Sequence, residues 1–273
     1  MKSSRIFPFL FFIGVSILRT SASVLIVNGL THLHNGASGN NLSGTIKMKN
    51  DGKKDARVLI YSKDLSLSCE SSSASYLEVN SHNRSLGKWL KTNVDEKVLQ
   101  PNEEYEVTYS IDIPSGVIEL GTYWELIMVE VADPIRDETP QGVKVDSKVR
   151  YGIQVITNIG AYKSPTLSFS KIDLKNLPKN LKDTTSQTNP KVITVRLHNE
   201  GIFLAQAKLN IEIFNSSGDK VKVINGTQRK IYPNFCTDFE TELINLPKGK
   251  YEGVLVADNG KDLYGENLSI EID

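Results

Sequence analysis

Thr45-Ile-Lys-Met-Lys-Asn-Asp-Gly52 and, 149 residues later, Thr194-Val-Arg-Leu-His-Asn-Glu-Gly201 are two copies of one pattern. Each alternates apolar and polar side chains, as a strand does with one face on a core, and each then breaks at Asn-acid-Gly. Ala56 and Ala205 follow at the same interval. Working outward, Ile111-Asp-Ile-Pro114-Ser-Gly116 matches Ile244-Asn-Leu-Pro247-Lys-Gly249. Gly121-Thr-Tyr123 with Val129-Glu-Val-Ala-Asp133 matches Gly249-Lys-Tyr251 with Leu255-Val-Ala-Asp258. The pairs keep their order, and a period near 150 residues is far too long for a solenoid. One structural unit therefore occurs twice.

Between these landmarks helical periodicity is nearly absent. Short runs rich in Val, Ile, Tyr and Thr alternate with turn clusters. In the first half, strands are predicted near 24–27, 42–49, 56–62, 76–79, 88–92, 105–113, 123–131 and 149–157. In the second they are predicted near 167–174, 192–197, 205–214, 220–224, 235–243, 251–257 and 263–272. Seven or eight strands per half is the count of an immunoglobulin-like sandwich. The fold class expected is all-β, two tandem immunoglobulin-like β-sandwich domains at residues 23–159 and 163–273. Residues 158–165 form a short linker, and loops are expected over 68–75, 132–147 and 178–190. Asn-Asp-Gly and Asn-Glu-Gly are expected to close a strand where the chain needs a positive φ, which Gly or Asn meets easily. Tyr123 and Tyr251 sit where sandwich domains place a tyrosine corner, and an ordinary core aromatic fits them equally.

Residues 1–22 read as a secretory signal peptide: Lys2 and Arg5, an apolar run from Ile6 to Leu18, then Thr20-Ser21-Ala22 before the cut. That core is too short for a spanning helix, and no later stretch is apolar enough to insert in a membrane. Three of the 32 basic residues lie in this leader, leaving 29 against 32 acidic ones. Such a balance gives no electrostatic footprint for nucleic acid. Cys69 and Cys236 fall in different halves. Export permits a disulfide, but the short linker gives no reason for the two sites to meet, and two free thiols are expected.

Catalytic patterns are missing. His32 and His34 share one strand face without a third metal ligand, so no metal site is expected, and His82 and His198 stand apart. Neither cysteine has a His or Asp arrangement beside it. There is no phosphate-binding Gly loop, nucleophile elbow or metalloprotease His pair. Glu103-Glu104 and Asp137-Glu138 read as solvated pairs. The chain is not read as an enzyme, and no cofactor is expected.

Leu86-Gly-Lys-Trp89-Leu, Leu99-Gln-Pro101-Asn-Glu-Glu, the alternating run Tyr105 to Ile113, and Tyr123-Trp124 together resemble the first domain of PapD-type periplasmic chaperones. Ile231-Tyr-Pro233, Leu246-Pro-Lys-Gly249-Lys-Tyr251 and Val256-Ala-Asp258-Asn-Gly260 resemble the immunoglobulin-like domains joined to such proteins. The resemblance implies two sandwiches at an angle with a cleft between them, and residence in the periplasm. It also implies a protein partner, an exported subunit or surface-assembly component, whose extended segment adds to the last strand of domain one. In that family a basic residue in the first strand and one in the last hold the subunit's terminal carboxylate. The last strand here offers Lys148 and Arg150, with Tyr151, Ile153 and Val155 beside them as partner-binding candidates. The first strand, Val24 to Leu30, has no Lys or Arg. Val149, Tyr151, Ile153 and Val155 face one way and Lys148, Arg150, Gly152 and Gln154 the other, so one apolar face must serve the core. Arg150 is read either as a carboxylate contact or as a solvated edge charge. The alternative function is a secreted or surface-associated structural or adhesion module.

Overall fold

The computed structural model describes residues 24–70, 73–116, 119–132, 135–138, 144–176, 191–243 and 246–272. The segments read from sequence as a signal peptide (1–22) and a loop (178–190) lie outside them. In the first half the strands are β1 (Val24–Ile26), β2 (Thr31–Gly36), β3 (Asn41–Asn50), β4 (Ala56–Leu67), β5 (Ala74–Leu77), β6 (Leu90–Thr92), β7 (Glu96–Leu99), β8 (Glu104–Asp112), β9 (Gly121–Val131), β10 (Ile135–Glu138), β11 (Lys144–Ser147) and β12 (Arg150–Ile159). The second half holds β13 (Leu167–Asn176), β14 (Lys191–Asn199), β15 (Ala205–Phe214), β16 (Lys220–Ile231), β17 (Cys236–Leu243), β18 (Gly249–Asp258) and β19 (Leu263–Ile272). The expected all-β class is what is found. Within the segment predicted as loop at 132–147, β10 and β11 pair as a hairpin.

Sheet β1-β3-β8-β6 faces sheet β2-β12-β9-β4-β5, which β7 joins through β4. Between them pack Ile46, Met48, Val58, Ile60, Val107, Tyr109, Ile127, Val129, Ile153 and Val155. Sheet β13-β14-β17 covers β16-β15-β18-β19 around Val195, Leu197, Leu209, Ile211, Phe239 and Leu255. Among the described residues no ladder joins the two halves. The alternation in the repeated segments explains the layering: inward positions fill a core and outward ones stay wet.

The repeats do the same physical work in both units. Asn50 is fully buried; its amide donates to the carbonyls of Lys54 (2.8 Å) and Leu99 (3.0 Å) and accepts from the Gly52 N–H (2.9 Å). Asn199 donates to Phe203 (2.8 Å) and Ile231 (2.8 Å) and accepts from Gly201 (2.8 Å). Each Asn carbonyl also takes the N–H of a second Asn, Asn102 or Asn234, both at φ 62 in a Pro-Asn turn. The left-handed residue is thus this second Asn. No residue of Asn50–Gly52 or Asn199–Gly201 has a positive φ, correcting the expectation for these strand ends; a Cβ on Gly201 would instead meet Pro165 at 2.4 Å. Tyr123 donates to the carbonyl of Glu119 and Tyr251 to that of Pro247, four residues upstream in each case. That is the tyrosine corner.

The first core contains a polar exception. Glu125 on β9 stands opposite Val155 on β12, one position past the last β4–β9 pair, Lys63–Leu126; it is 1% exposed, and neither carboxylate oxygen has a hydrogen-bond partner. Burial, with the Asp64 charge adding to it, pushes its pKa up to about 8. Asp64 is satisfied by the Ser81 N–H (2.6 Å) and the Ser85 hydroxyl (2.7 Å).

Candidate functional site

The site is built around β12, the last strand of the first sandwich. It pairs antiparallel with β9 along its whole length, and parallel with β2 from Gln154 to Ile159 only. Val131 N–H donates to the Val149 carbonyl on the β9 side, and Gln154 N–H donates to Leu30 on the β2 side. Backbone direction alternates along a strand. Tyr151 and Ile153 therefore point their N–H and C=O at β9, while Arg150 and Gly152 point theirs away from it. Among the described residues no strand pairs with the outward edge of Arg150–Ile153, where the main-chain groups of Arg150 and Gly152 point away from β9.

The candidate side chains separate on this scaffold. Ile153 and Val155 are fully buried in the first core, and Tyr151, packed against it, donates to the Val24 carbonyl at 2.6 Å. They position the strand from within the core. Lys148 and Arg150 both bind Glu130 of β9, at 3.2 Å and 2.7 Å, and Tyr61 donates to the same carboxylate at 2.7 Å. These hydrogen bonds, Tyr61 first, hold Glu130 below the usual carboxylate range. Arg150 is thus paired within the first unit: the register sets it beside Glu130, and about half of its side chain stays exposed. The outward face of β12 is also more apolar than alternation from Lys148 to Gln154 suggested. Ile156 is fully buried with Leu65, Trp124, Leu126, Met128, Leu204 and Tyr232, a cluster drawn from both halves.

Leu65, Leu126 and Tyr232 of that cluster line a cleft of about 780 Å³ between the sandwiches, with Leu67, Tyr76, Gly152, Gln154, Lys230 and Glu240 among its other walls. Lys230 of β16 was not singled out in the sequence. Its ammonium donates to Thr31 Oγ1 and Gln154 Oε1, both at 2.6 Å, and Tyr232 donates to the same Gln154 oxygen at 3.1 Å. Burial lowers its pKa, and among the described residues no carboxylate pairs with it. A half-buried cation held only by neutral oxygens beside an open strand edge is a place for an anion.

The two halves are locked around the cleft. Thr122 Oγ1 donates to Asn158 Oδ1 (2.6 Å) and accepts from the Leu204 N–H (2.7 Å), while Trp124 Nε1 donates to the Leu65 carbonyl (2.8 Å). Cys69 and Cys236 form a disulfide with Cα atoms 4.8 Å apart, which corrects the expectation of free thiols. The reason is β4, which runs past its predicted end at residue 62 to Leu67 and carries Cys69 across to the start of β17. Arg196 reinforces the crossing, binding Asp238 in a bidentate pair (2.7 and 2.9 Å) and the carbonyls of Cys69 and Glu70. Among the described residues no cluster of three His, Cys, Asp or Glu is placed to hold a metal, and no helix is long and apolar enough to cross a membrane.

No family model matches the chain and no curated protein matches it. Solved structures of fimbrial chaperones align with most of it. The class 5 fimbriae chaperone CfaA does so at 13% identity over 91% of this chain and 98% of its own, with a TM-score of 0.46. A chaperone–tip adhesin complex of CFA/I fimbriae aligns at 11% identity over 92% and 98%, TM-score 0.46. The CsuC–CsuE pre-assembly complex of Acinetobacter baumannii aligns at 14% over 90% and 98%, TM-score 0.44. At scores below 0.5 these stand as neighbours only, and the fold rests on the sheets and cores described above.

Proposed function

We propose that this protein is exported to the periplasm as two units, 23–159 and 163–273. There it binds an extended segment of a partner protein by β-strand addition to β12 during assembly of surface structures. It acts as a binding protein and not as a catalyst. The observation that carries the reading is the meeting, in one cleft, of the outward edge of β12 at Gly152 with the ammonium of Lys230, which no carboxylate among the described residues pairs. A strand laid on that edge gains main-chain hydrogen bonds whatever its side chains, and a terminal carboxylate gives Lys230 the counter-charge it lacks. The anchoring role expected of Arg150 thus passes to Lys230, on the second unit. The partner is an exported subunit or a component of a surface assembly.

What favours the alternative, a structural or adhesion module, is the shortness of the edge: β2 covers all but four residues of β12. Capture of partners from the native envelope separates the two. Gly152→Pro removes one outward donor and leaves the β9 ladder intact, so a strand-adding subunit should be lost with it. Lys230→Met should weaken the same complex about tenfold or more, the worth of a charge-assisted hydrogen bond. Undiminished capture of the same partner by both variants contradicts strand addition and supports the module.

A further inference from the structure

The remainder of the β12 edge lies under β2. We propose that β2 is a removable strap, and that its release in acid opens the whole Arg150–Ile159 edge as a docking surface for an extended segment of another chain. This deepens the strand-addition reading and rests on it.

Three observations support a strap. First, β2 has no buried residue: Thr31, Leu33 and Asn35 are exposed, and His32, His34 and Gly36 are only partly covered. Elements with so little buried surface open first. Second, the groups beneath it have a fixed demand. Gln154, Ile156 and Asn158 point their main-chain N–H and C=O at β2, as the Gln154 bond to Leu30 fixes for the alternating set. With β2 gone these groups need a new row of partners, and another strand supplies it in register. Third, the inward side-chain hold turns on one proton, while on the outer side Asn35 Oδ1 accepts from Asn158 Nδ2 at 3.1 Å and Thr31 from Lys230. His32 Nδ1 and His34 Nε2 each lie 2.8 Å from the Tyr109 hydroxyl. A phenol donates once, so it gives its proton to one imidazole and accepts an N–H from the other. Two imidazoliums cannot both be satisfied there. The hydroxyl fits because residue 44 is glycine; a Cβ on Gly44 would lie 2.2 Å from it.

The surroundings decide the sign. Burial lowers the pKa of both histidines, and His32 further opposes the charging of His34. Burial also raises the pKa of Tyr109, so it keeps its proton. On the same core face β3 presents Leu42, Gly44 and Ile46, and β12 presents Ile153, Val155 and Thr157. β9 presents Glu125, in the register row Glu125–Val155–His32, with Asp64 of β4 one strand beyond. Glu125 is neutral below about pH 8. On the outer side Lys230 holds Thr31. No carboxylate contacts either imidazole to hold its charged form. The bound strap therefore prefers neutral histidines and the free strap accepts protons, so falling pH through the ordinary imidazole range, about 6.5, releases it.

Hydrogen exchange of the full protein at pH 7.5 and 5.0, corrected for the intrinsic pH dependence of exchange, tests this without any partner. The amides of β2 and the outward amides of Gln154, Ile156 and Asn158 should lose protection severalfold at pH 5.0. The inward amides of β12 should hold. A His32→Gln/His34→Gln double variant should show equal protection at both pH values, and Tyr109→Phe reduced protection at both. Unchanged protection of β2 in the wild type at pH 5.0, or equal loss on both ladders of β12, overturns the strap. Either result leaves the capture test of strand addition standing, and that test can fail with strap release intact.

Discussion

Glu125→Gln should abolish a large part of the pH dependence of stability while leaving the fold in place. The carboxyl group lies in the first core without a well-formed hydrogen bond, near the Ser62 hydroxyl and within reach of the Asp64 charge. Burial, then Asp64, raise its pKa from 4.5 to about 8, and the Ser62 hydroxyl offsets this only in part. A raised folded pKa means that the native chain keeps a proton the unfolded chain gives up. The associated stability is fully present below about pH 4.5 and is lost as pH rises through 8. At about 1.4 kcal/mol per unit, the loss across that window is on the order of 4 kcal/mol. The amide of glutamine cannot ionise, so the variant should match the wild type to within about 1 kcal/mol at pH 5 and exceed it by about 3–4 kcal/mol at pH 8. Urea unfolding from pH 5 to 8.5, followed by the fluorescence of Trp89 and Trp124, measures both. Parallel pH profiles for the two proteins would refute the assignment of a neutral, buried acid.

Cys69→Ser opens a crosslink spanning 167 residues, for which the chain-entropy model sets a ceiling near 5 kcal/mol and ordinary disulfides give about 2–4. Its urea midpoint should fall and its transition split in two as the units uncouple; an unaltered single transition contradicts the tether. Asn50→Ala and Asn199→Ala each strand two buried carbonyls, and each should cost about 2–4 kcal/mol. The loss should fall on the transition of the unit that carries the substitution, and a marked difference between the two would break the equivalence of the repeats.

Much of the fold was legible because the repeats encode hydrogen bonds as well as hydrophobic faces. Asn-acid-Gly could be read as a strand end because Asn50 and Asn199 cap the carbonyls there, and Tyr123 and Tyr251 recur because each closes the same corner. The site was less legible, since it depends on register and on contacts between halves. That Arg150 faces Glu130 follows from a pairing of β12 with β9 that no single strand reveals. Lys230 belongs to the second unit and gains meaning only where β16 meets Thr31 and Gln154. The disulfide escaped notice because β4 continues through Lys63-Asp64-Leu65, a stretch whose polar residues read as the end of a strand. Asp64 is tolerated there because Ser81 and Ser85 satisfy it.

The central claim is that a partner's extended segment lies along Arg150–Ile153, with its carboxylate end near Lys230. A photo-reactive amino acid placed at Gly152 in cells of the native host, with a control at Lys222 toward the opposite end of β16 from Lys230, reads this contact directly. The account expects an adduct at position 152 that maps to the C-terminal peptide of an exported subunit, little adduct at position 222, and loss of the first adduct on adding Lys230→Met. Equal adducts at both positions, or an adduct at 152 that maps to the folded body of its partner and is indifferent to Lys230, would contradict it.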